Sequence, residues 1–105
     1  MLAGTTRKIA FRRIAAAALD RAPEIVRRWL PDGRREGAEW SCRNPTRDDR
    51  KPGSFKVNLN PGKWGDFATG ERGGDLISLA SYLFRLSQAE AAFKIADMIG
   101  IEPHA

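Results

Sequence analysis

The run Ser54–Asn60, reading SFKVNLN, constrains this chain more than any other stretch. Phe55, Val57 and Leu59 alternate with Ser54, Lys56, Asn58 and Asn60. A period of two buries one face of a strand and wets the other, so the three apolar side chains belong inside. Asn60-Pro61-Gly62-Lys63 follows as turn chemistry. Proline presets φ at the first central position, and glycine accepts a positive φ at the second. A second strand from Lys63 to about Ala68 then completes a hairpin. The glycine-rich run GERGGD carries the chain into a helix.

Upstream, Thr5 or Thr6 opens an expected helix reaching about Arg21, with Ile9, Ile14, Ala17 and Ala18 as its buried stripe. Pro23 fits the first turn of a second helix, PEIVRRWL, rather than the interior of one long helix. Val26, Trp29 and Leu30 then face the core, and Arg27 and Arg28 face water. Leu30-Pro31-Asp32-Gly33 ends that helix, and RREG leads into a short strand from Glu39 to Arg43. Downstream, Asp75 is an N-cap for Leu76–Leu86, whose Leu76, Leu79, Ala80 and Leu83 repeat at helical spacing. Ser87-Gln88-Ala89-Glu90 is a capping box for the last helix, which buries Ala92, Ile95, Ala96 and Ile99 and stops at Gly100.

The 105 residues suit one domain with its own core, divided into N-terminal helices (6–37), a β-ribbon (38–70) and a C-terminal helix pair (75–100). A hydrophobic content of 42% with 30% charged residues argues against disorder. A single cysteine makes no internal disulfide, and no apolar run approaches the length of a membrane span. The expected location is cytoplasmic, with no membrane partner and no small-molecule substrate. The net charge of +5 is uneven. Residues 1–37 carry nine Lys/Arg against four Asp/Glu, residues 38–74 seven against five, and residues 75–105 two against four. A basic first two-thirds favours a polyanionic partner.

Catalysis has little to build on. The only histidine, His104, stands near the C-terminal end, and the acidic residues are scattered. No enzymatic activity is therefore expected. Structural zinc needs four ligands, almost always Cys or His, and only Cys42 and His104 are of those types. No metal and no cofactor are expected. GERGGD precedes a helix, but it lacks the Lys-Ser/Thr of a phosphate loop, and Asp75 at the cap repels phosphate. Its glycines read as turn formers. Single-strand binding needs cations that track a backbone and aromatic faces for bases. The candidates are Lys56, Asn58, Lys63 and Trp64 on the hairpin, with Arg43, Arg47, Arg50 and Lys51 in the neighbouring loop. Trp64 either stacks on a base or packs against the helices.

Pro52-Gly53-Ser54-Phe55, Trp64–Gly70 and Gly73-Gly74-Asp75-Leu76 stand in the order of three landmarks. By these the stretch from Trp40 to Gly100 resembles the N-terminal zinc-binding domain of bacterial and phage replicative primases. Asp66 and Thr69 sit where that family has its second cysteine pair, and no Cys/His pair precedes Pro52. The runs RRWLPDGRREG, NPTR, PGSFKVNL and DFATGERGGD are similar to small domains of primase- or helicase-like proteins of phages and integrated elements, which have lost the metal. The resemblance implies an α+β fold, a small antiparallel sheet of zinc-ribbon type flanked by helices at both ends. It implies that packing of Trp40, Phe55, Trp64 and Phe67 replaces zinc. It also implies a non-catalytic module that engages single-stranded DNA template in phage or mobile-element replication, with a replication protein as a further partner. The competing expectation is a stand-alone protein-interaction module, such as a phage-encoded inhibitor of a host nucleoprotein complex.

Overall fold

The computed structural model describes residues 7–47 and 53–105. Four helices and five strands follow in the order α1 (Phe11–Leu19), α2 (Ala22–Trp29), β1 (Arg34–Glu36), β2 (Glu39–Cys42), β3 (Phe55–Asn58), β4 (Trp64–Asp66), β5 (Arg72–Gly73), α3 (Leu76–Phe84) and α4 (Gln88–Ile99). The fold is α+β, as the sequence implies. All five strands are antiparallel, and their order in the sheet is their order in the chain.

Phe55, Val57 and Leu59 are buried, as their period demands. The register sets Val57 opposite Trp40 on one side and Trp64 on the other. Phe55 likewise stands between Cys42 and Asp66. These two rows form the inner face. Phe55, Trp64 and Tyr82 of α3 meet there, with ring centroids 4.8 to 6.0 Å apart. The rest of the core is helical: Ile14 and Ala18 of α1, Ile25 and Val26 of α2, Leu76, Ile77, Leu79 and Ala80 of α3, and Ala91, Ala92, Ile95 and Ala96 of α4.

The helix ends follow local chemistry. Pro23 lies in the first turn of α2, separating it from α1. The Asp75 carboxylate accepts from Ser78 N at 2.8 Å, and the Ser87 hydroxyl accepts from Glu90 N at 3.0 Å, each within a capping box. Gly100 closes α4 with φ of 74°.

Three expectations are corrected. First, α1 begins at Phe11 and residues 8–10 before it are not helical; Thr5 and Thr6, the expected start of the helix, lie outside the described residues. Ala10 N donates to Pro103 O, Ala105 N donates to Lys8 O, and Ile9 bridges His104. That pairing takes residues 8–10 out of the helix. Second, the sheet is wider than the expected ribbon, because Arg34–Glu36 and Arg72–Gly73 pair as edge strands. Third, Gly73 is not a turn former. It lies in β5, and a Cβ there would run into the Trp64 indole and the Ser78 hydroxyl, which bond to each other at 2.9 Å. Gly73→Ala is expected to cost about 1–3 kcal/mol through overpacking. Gly74→Ala, whose Cβ meets nothing within 4 Å, is the control and should be close to neutral. Paired urea titrations check both.

Candidate nucleic-acid interface

Two groups of polar side chains are built on this frame, one inside the sheet and one on its open face. The inner group centres on Asp66, whose side chain is fully buried at the end of β4. Its Oδ2 accepts from Asn44 Nδ2 at 2.7 Å and from Arg47 Nη2 at 2.9 Å, and its Oδ1 accepts from Ala68 N at 2.8 Å. Asn44 Nδ2 also donates to the Tyr82 hydroxyl at 2.7 Å, and Asn44 Oδ1 accepts from the Thr46 amide and hydroxyl. The Tyr82 hydroxyl in turn donates to Glu71 at 3.2 Å. Burial pushes the Asp66 carboxyl upward, but the bonds from Asn44, Ala68 and Arg47, with the Arg47 charge, outweigh it and hold the carboxyl below its ordinary range.

This cluster stands where the resemblance would put metal ligands. Every named partner of the Asp66 carboxylate is a donor, and its nearest charge is a guanidinium. That is the environment of a hydrogen-bonded, ion-paired anion, not of a carboxylate bound to a metal ion. Thr69, the other residue at a ligand position, is exposed and bonds to Glu71. Among the described residues, no group of three or more His, Cys, Asp or Glu side chains is placed to hold a metal ion. The set does not fit zinc.

The second group lies on the solvent face of the sheet. Lys56 and Asn58 of β3, Gly65 of β4 and Arg72 of β5 surround an open depression of about 380 Å³, joined by Lys63 from the hairpin turn. Phe67, just beyond β4, is 75% exposed, and Lys56 Nζ lies 5.8 Å from its ring centroid. Glu39 and Glu71 line the same depression. The turn holds its shape because Asn58 N donates to Lys63 O, Gly62 N donates to Asn58 O, and Gly62 takes φ of 81°.

Lys56, Asn58, Lys63 and Trp64 thus all line one depression. Trp64 does so without offering a face: it is 7% exposed and packs on Phe55 and Tyr82. Of the two roles open to Trp64 the structure takes the packing one, and the core role expected of Phe67 is corrected. The two trade places because Trp64 pairs with Val57, which fixes its face as the inner one. Arg43 and Arg47 line a different hollow, between the end of α2 and residues 42–47. Arg47 is tied to Asp66, so its expected role as a phosphate contact gives way to a structural one. Arg50 and Lys51 lie outside the described residues. Sequence reasoning missed Phe67 and Arg72, whose faces follow from the pairing of β4 with β3 and with β5.

No family model and no curated protein matches the chain. Among solved structures, it is similar to the crystal structure of the Aquifex aeolicus primase, comprising zinc-binding and RNA polymerase domains. The TM-score is 0.74 at 22% identity, and the match covers 88% of this chain but only 22% of that one. The likeness establishes a primase-like fold. No helix among the described residues is long and apolar enough to cross a membrane.

Proposed function

We propose that the chain is a non-catalytic nucleic-acid-binding module of primase type, which engages single-stranded DNA template in phage or mobile-element replication. The observation that carries this reading is Phe67, a three-quarters exposed ring on a sheet face with Lys56, Lys63 and Arg72 around it. An exposed aromatic beside cations is what a base and its phosphate need. The fold likeness to a primase supports the same reading.

Fluorescence anisotropy with labelled single-stranded and duplex oligonucleotides tests it. With about three phosphate contacts, single-strand affinity should fall with salt at a log–log slope near −2. Phe67→Ala should cost about 1–3 kcal/mol of binding if one base stacks there, with the melting temperature unchanged because the ring is exposed. Glu39 and Glu71 in the same depression hold the affinity to a modest level. Absence of binding to either oligonucleotide at low salt would defeat the reading and favour a protein partner instead.

A further inference from the structure

The register places one residue from each strand in a single row across the outer face: Arg34, Ser41, Lys56, Gly65 and Arg72. Cations alternate with small residues along this row. Arg34 and Arg72 are exposed on the two edge strands, and Lys56 is half-buried at the centre. Among the described residues, none of the three is in an ion pair. The next row, toward the hairpin turns, holds Glu36, Glu39 and Asn58. It sets two carboxylates beside the cationic row on the β1–β2 side.

We infer that the nucleic-acid strand crosses the sheet along the row Arg34–Lys56–Arg72, perpendicular to the β-strands, with the edge-strand arginines as its outer phosphate contacts. The inference rests on the nucleic-acid reading above and adds the path and one further binding residue, Arg34. Adjacent strands are about 4.8 Å apart, so the row spans about 19 Å and its cations recur about every 10 Å. Between them stand two small residues, Ser41, which is buried, and Gly65, where a Cβ would find only ordinary contacts. A backbone running along the strands would instead pass from Lys56 toward Asn58 and Lys63, and on the β2 side it would meet Glu39. Glu36 and Glu39 act as a fence that keeps phosphate on the row.

The test compares Arg34→Gln, Arg72→Gln and Lys63→Gln by salt titration against oligothymidylates of two to eight nucleotides, each variant first checked by thermal melt. All three positions are exposed, so the fold should hold. For the longest oligonucleotide, Arg34→Gln and Arg72→Gln should each reduce the magnitude of the slope by about 0.7, and Lys63→Gln should reduce it less. For the shortest, each edge substitution should have a weaker effect, because a dinucleotide cannot reach both edges. Glu36→Gln with Glu39→Gln should tighten binding several-fold. If the parent binds but only Lys63→Gln changes the slope, the strand runs along the hairpin: the path is overturned and the nucleic-acid reading stands. If the parent does not bind, both fall.

Discussion

Phe55→Ala should lower the unfolding free energy by about 3–5 kcal/mol, read as a fall in the urea midpoint. Domains of this kind are stable by only about 5–15 kcal/mol, so the variant stands close to unfolding at room temperature. The size of the effect follows from position. Phe55 has no exposed surface, and its ring stacks on both Trp64 and Tyr82, which also touch each other. Its removal leaves a cavity bounded by a sheet on one side and α3 on the other, neither free to collapse. The near-ultraviolet dichroism of the ring cluster should weaken with it. A midpoint equal to the parent's would contradict the packing described.

Asp66→Ala should cost about 2–3 kcal/mol, because it strands the Asn44 amide and the Ala68 N–H and releases Arg47. The parent should also lose stability in acid. The folded carboxyl is held below its ordinary range, chiefly by Asn44, Ala68 and Arg47 acting against burial. Asp66 therefore contributes stability that is fully present above the unfolded value, near 3.9, and is lost as pH falls through the lower folded value. The gap between the urea midpoints of parent and variant should narrow as pH falls from about 6 to about 3. A constant gap across that range would show that folding leaves the carboxyl's proton affinity unchanged. A chelator should leave the parent's melting temperature unchanged; a large drop would put a metal back into the fold.

The parts of this structure that were legible in the sequence are those written in local patterns. The alternation of Phe55, Val57 and Leu59, the caps Asp75 and Ser87, the stop at Gly100 and the break at Pro23 each carry their reason within a few residues. Strands β1 and β5 were not legible, because three and two residues of mainly charged or glycine character have no period. Arg47 read as a loop cation because its partner Asp66 lies 19 residues away. Asp66 itself stood at a conspicuous position, but that it is buried among donors depends on pairing with Phe55 and on α3. Trp64 and Phe67 were separable by alternation alone. Assigning their faces needed the pairing of Asn58 with Lys63, which sets Val57 opposite Trp64.

The agreement between strand order and chain order has a bearing on how the sheet assembles. Each strand pairs only with its neighbours in sequence, so every step of the sheet closes a loop no longer than the segment between β2 and β3. Loop closure grows costlier with the length spanned, and search times grow with the sequence separation of contacts. The whole five-stranded sheet is thus reachable through successive local hairpins. Non-local ordering is concentrated in two places: the seating of α1 against the C-terminal helices, and the clasp between residues 8–10 and 103–105. The sheet is on this account the locally encoded part of the molecule, and joining residues 8–10 to residues 103–105 is the topologically expensive part.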